Sequence, residues 1–252
     1  MAVTACASLF FGMLTLFAVG HRIGHRRLQK EDTAPEVSGA IIGALFALLG
    51  LLLAFTFSGA YSRFDTRRQL IVQEANAIGT AYLRLDLLPA SAQAPLRVIF
   101  REYAASRAVL YEKLSDPQTA TNELARAGVL QKEIWSQAVT ASKGPEYQSA
   151  RMLLLPALNE MIDIVTTRTV AIQTHTPLHI FFVMFVIALA CAGLTGYRAS
   201  VSEHPEHLYN ILLALITASV LYLILDIEYP SRGLIRLDSV NQVLVELVKT
   251  MQ

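Results

Sequence analysis

Apolar residues in this chain fall into long blocks separated by charged stretches. The first block, residues 2–20, is a run of about 19 residues without a charge, enough to cross roughly 30 Å of hydrocarbon as a helix. The second, residues 37–62, passes through GAIIGALFALLGLLLAFTF and is long enough to span with tilt or to protrude. Residues 177–197 and 208–225 each approach the roughly 18–20 residues that a crossing requires. Backbone amides in lipid must be satisfied within their own segment, so all four blocks are predicted to be helices.

Between residues 63 and 168 the pattern changes to charges of both signs with apolar residues at helical spacing. Leu70, Glu74, Ala77, Ile78, Ala81, Leu85 and Leu88 keep one mostly apolar face, and no proline interrupts before Pro89. The second membrane helix is therefore predicted to run unbroken over 39–88, about 75 Å at 1.5 Å per residue and far more than a bilayer needs. Three further helices are predicted over 94–114, 118–140 and 146–174, bounded by Ser-Asp-Pro, Lys-Gly-Pro and Thr-Pro. No stretch shows the period-two alternation of strands. DIEYPSRGLIRLDS then reads as a turn-rich linker to a short amphipathic helix at the C-terminus.

The expected architecture is an all-α polytopic membrane protein with about four transmembrane helices, the second extending into an extramembrane helical domain. Its parts are 1–62, the first two membrane helices; 63–176, the helical domain; 177–227, the third and fourth membrane helices; and 228–252, a turn and short helix. Composition agrees, with 54% hydrophobic and 16% charged residues, the excess gathered in blocks rather than spread through a soluble core. The basic run HRIGHRRLQK follows the first block instead of preceding it, so that block reads as a membrane helix rather than a secretory leader. A net charge of +1 provides no field for nucleic acid, and no nucleic-acid partner is expected. Cys6 and Cys191 both lie in predicted membrane helices and read as packing residues.

Three sets of residues carry candidate chemistry. Gly39, Gly43, Ala47, Gly50 and Ala54 recur every three or four residues on the second helix, a small-residue face that marks close helix contact within a chain or between subunits. At that helix's exit Arg63, Arg67 and Arg68 stand within two turns, either a cationic ring at a pore mouth or a collar that reaches the headgroups. Leu51 and Phe55, one turn apart, are candidates for an apolar constriction that gates by dewetting. The histidine pairs His21/His25, His175/His179 and His204/His207 flank membrane segments, but no carboxylate or thiol completes a ligand set, and no metal or cofactor is expected. Asp226, Glu228 and Asp238 are expected to pair with Arg232 and Arg236 rather than hold a cation. Hydrolase and phosphate-loop motifs are absent, as is a membrane-embedded carboxylate pair, so an enzyme is not expected.

The stretch GLLLAFTFSGAYSRFDTRRQLIVQEANAIGTAYLRLDLLP resembles the opening of the bestrophin-like domain of bacterial membrane proteins, and DIEYPSRGLIRLDS resembles its ending. Phe55, Ala60, Tyr61, Arg63, Phe64 and Arg67 carry a more remote resemblance to bestrophins proper. Bestrophins are pentameric ion channels, mostly anion-selective, whose second helix lines a hydrophobic neck. The resemblance implies Leu48, Leu51 and Phe55 as neck residues and Arg63 as a cation near the pore, but Asp226, Glu228 and Asp238 do not match the dense acidic cluster that binds calcium in animal bestrophins, so calcium gating is not expected. It also implies a homo-oligomer, five subunits by analogy, in a bacterial inner membrane with small inorganic ions as its cargo. Charge near the membrane does not decide orientation, and the resemblance implies a cytoplasmic middle domain. The rival expectation is a non-conducting membrane scaffold or sensor whose helical domain binds a partner.

Overall fold

The computed structural model describes residues 2–31, 38–112, 117–201, 207–230, 234–235 and 238–251, and among these there is no strand. The helices are α1 (Ala2–Glu31), α2 (Gly39–Leu83), α3 (Ala90–Glu112), α4 (Pro117–Ala141), α5 (Gln148–Gln173), α6 (Leu178–Ala199), α7 (His207–Glu228) and α8 (Asp238–Thr250). α2 is one helix, as the periodicity predicts, but it gives way to a 3-10 turn at Arg84–Leu87 instead of reaching Leu88. The cause is Pro89, which drives the preceding residue out of the helical region: Leu88 is extended at φ −88° and ψ 164°.

The chain divides into two compact units. One comprises residues 1–62 and 175–229, and its core gathers Leu9, Met13, Leu49, Met184, Ala188 and Leu221. Four helices among the described residues are long and apolar enough to cross a membrane. Within this unit α1 lies tight against α6 because glycine faces backbone on both sides. A methyl group added at Gly20 would overlap the carbonyl of Gly193, and one at Gly196 would overlap that of Phe17. Close approach of this kind maximises dispersion contact where lipid offers no hydrophobic drive for association.

The other unit comprises 63–174 and 230–252, so the C-terminal helix α8 groups with the helical domain. Ile71, Ile78, Phe100, Tyr103, Leu158 and Leu244 lie in its core. Polar side chains tie its elements together: Ser106 Oγ donates to Glu123 Oε2 at 2.6 Å, Gln131 Nε2 to the Tyr103 hydroxyl at 3.0 Å, and Asn241 Nδ2 to the Ala108 carbonyl at 3.3 Å.

Candidate functional site

Along the uncharged part of α2, one face turns inward and the other is open. Leu49, Thr56 and Ala60 are buried, with Thr56 Oγ1 bonded to the Leu52 carbonyl at 2.7 Å and touching Met184 Sδ at 3.4 Å. Leu48, Leu51 and Phe55 are 45%, 53% and 68% exposed. At about 100° per residue these three fall within about 40° of one line on the helix. Three large apolar side chains on one open face need lipid or protein to cover them.

The small-residue stripe lies about 110° round the helix from Phe55. Gly39 meets the Arg198 guanidinium there, while among the described residues a methyl group added at Gly43 or Gly50 would touch nothing within 4 Å. Ala47 and Ala54 are exposed. Among the described residues, none of the chain's own helices therefore packs on this stripe at Gly43 or Gly50. The close glycine packing within the chain belongs to α1 and α6, at Gly20 and Gly196.

The three arginines part company. Arg67 is buried and caps the end of α5, its Nε donating to the Ala171 carbonyl at 3.0 Å and its Nη2 to the Thr174 carbonyl at 2.8 Å. It satisfies orphaned carbonyls where the helix dipole favours a cation, and so its charge is taken up inside the helical unit. Arg68 is about half exposed and lies 3.7 Å from Asp65. Arg63 is half-buried. By helical register Arg63 stands about 80° from the Phe55 line and Arg68 about 140° from it.

Deeper in the helical unit, Glu74 is wholly buried and bridges two buried arginines, Oε1 accepting from Arg107 Nε and Oε2 from Arg168 Nη1. Burial alone would raise the Glu74 carboxyl, but the charges of Arg107 and Arg168 and their hydrogen bonds outweigh it and hold the carboxyl below its ordinary value. The triad joins α2, α3 and α5 through a single carboxylate. The sequence pattern places Glu74 on the apolar face of α2, and a carboxylate there needs a neutralising partner, which was the available signal.

In the membrane unit Glu228, at the end of α7, accepts the Thr176 backbone N–H at 2.9 Å and lies 3.1 Å from the Thr176 hydroxyl. His175 stacks on Tyr229 beside it, ring centres 4.7 Å apart. Glu228 thus anchors the entry to α6, and Asp226 is buried nearby in sequence. Arg232, Arg236 and His204, and the side chains of Asp238 and His207, lie outside the described residues. His21 and His25 stack at 6.3 Å. Among the described residues no three His, Cys, Asp or Glu side chains come together as metal ligands.

A family profile described as the Bestrophin-like domain matches residues 6–241. The chain belongs to the bestrophin-like family. Its fold is that of solved bacterial bestrophin homologues from Klebsiella pneumoniae. One point variant superposes with a TM-score of 0.72 at 15% identity, covering 96% of this chain and 99% of that one. A second gives 0.71 at 16% identity, covering 95% and 96%. No curated protein sequence matches. Membership of this family supports an ion channel in general.

Proposed function

We propose that this bestrophin-like chain is a homo-oligomeric ion channel, anion-conducting, whose pore is lined by α2 and narrowed at Leu48, Leu51 and Phe55. The observation that carries this reading is the exposure of those side chains on one face of a helix whose opposite face packs into its own unit. Copies arranged around an axis with Phe55 inward would bring the flanks of neighbouring α2 helices together. The uncovered small residues at Gly43, Ala47, Gly50 and Ala54 suit such a flank, because they let a neighbouring backbone approach closely. The family resemblance supports five copies, a bacterial inner membrane and a cytoplasmic helical domain.

An apolar ring offers an ion nothing to replace its hydration shell, so it resists conduction by excluding water as well as by narrowness. Anion preference is assigned to Arg63, the arginine nearest the neck line, with several copies summing to a local positive potential in a chain of net charge +1. The test is Leu51→Ala with Phe55→Ala in liposomes, with flux normalised to assembled oligomer. Normalised flux should rise and discrimination by ion size should blur. A normalised flux at or below the wild-type value removes these residues from the pore.

A further inference from the structure

Beyond the apolar stretch, the open face of α2 changes chemistry. Thr66, Gln69, Gln73, Asn76 and Thr80 recur every three or four residues, all five are exposed, and none is charged. They keep within about 60° of the Phe55 line by helical register. The opposite side of the same turns is Ile71, Ala75 and Ile78, buried in the helical unit's core. A solvated helix face ordinarily carries charge, and the other helices of this unit follow that habit: Arg101, Glu102, Arg126, Lys132 and Glu133 are all exposed on α3 and α4. Along α2 the charges are instead placed off this line. Glu74 points into the core, Arg67 caps α5, and Asp65 sits at the edge, where its Oδ2 accepts from Gln69 Nε2 at 2.8 Å.

We infer that Thr66, Gln69, Gln73, Asn76 and Thr80 line the extramembrane continuation of the ion path as an uncharged ladder that solvates ions of either sign. The inference rests on the reading that α2 lines the pore. Each rung is both donor and acceptor: an amide turns N–H toward an anion and C=O toward a cation, and a hydroxyl does the same. A fixed charge would attract one sign and hold it, whereas neutral rungs bind weakly enough to pass ions on. The ladder therefore adds no charge preference of its own, and selection by sign is left to the membrane exit.

The experiment measures reversal potential under a potassium chloride gradient, with full-length protein in liposomes. Gln73→Glu should move the potential toward the potassium value and Gln73→Lys toward the chloride value, with both shifts shrinking as salt screens the new charge. Lys132→Glu, an equal and exposed change on α4, should leave the potential where it is. A conducting wild type whose potential is unmoved by either Gln73 variant, or moved as much by Lys132→Glu, overturns the ladder and leaves the channel reading intact. A wild type that assembles but conducts nothing overturns both.

Discussion

Replacing Glu74 with Gln should destabilise the helical unit strongly while barely changing its shape. The side chain is fully buried and each carboxylate oxygen holds one guanidinium. Gln keeps the volume, but it removes the only negative charge of the triad and turns an N–H₂ toward one of two cations. Removing one partner of a buried ion pair costs about 3–5 kcal/mol, because the remaining charge stays in a medium that solvates it poorly. For a unit of this size that is a fall of about 10–20 °C in unfolding midpoint. The assay is built in, since Trp135 is the chain's one tryptophan and packs against this unit's core. Its fluorescence during heating of detergent-extracted protein reports this unit, with variants compared at one scan rate because unfolding of such proteins is commonly irreversible. Removing the triad altogether, with Glu74→Leu, Arg107→Met and Arg168→Leu, should recover much of the loss, since a buried ion network contributes little against apolar packing of similar volume. A fall of under about 1 kcal/mol for Glu74→Gln, or a triple variant less stable than the single, would refute the reasoning.

The same carboxyl predicts a pH profile. Its folded value lies below its unfolded one, so its stabilisation is complete above the ordinary carboxylate range of about 4.3 and is lost as pH falls through the depressed value. The Trp135 midpoint should hold from neutral pH to about 5 and drop below about 4, and Glu74→Gln should flatten that drop. Arg67→Gln deprives the α5 carbonyls of a charged cap and should cost about 1.5–3 kcal/mol, read as faster hydrogen exchange in the last turn of α5. Gly196→Ala places a methyl group against the Phe17 backbone and should cost at least about 1–3 kcal/mol in the membrane unit. Gly43→Leu should spare the single chain's fold and instead reduce the oligomer's mass after gentle extraction.

The sequence was most legible where one physical demand acted alone. Uncharged runs of bilayer length mark α1, α6 and α7, and the breakers at Pro117, Pro145 and Pro177 bound the extramembrane helices within a few residues. The continuity of α2 followed from its periodicity, though the 3-10 turn before Pro89 shortened it. Partners distant in the chain were harder to read. Glu74 meets Arg107 and Arg168 from 33 and 94 residues away, and Arg67 meets α5 from more than 100, so one-dimensional spacing shows that each charge needs a partner without saying which. The small residues of α2 mark a close helix contact within the chain or between subunits, while Gly20 and Gly196 serve close packing within the chain; a small-residue pattern does not name the helix it meets.

Chloride efflux from liposomes reconstituted with purified, assembled protein tests the channel reading most directly. Efflux well above the leak of protein-free liposomes, and proportional to the amount of oligomer, is expected. Efflux no greater than that leak, from protein shown to be folded and assembled, would contradict that reading.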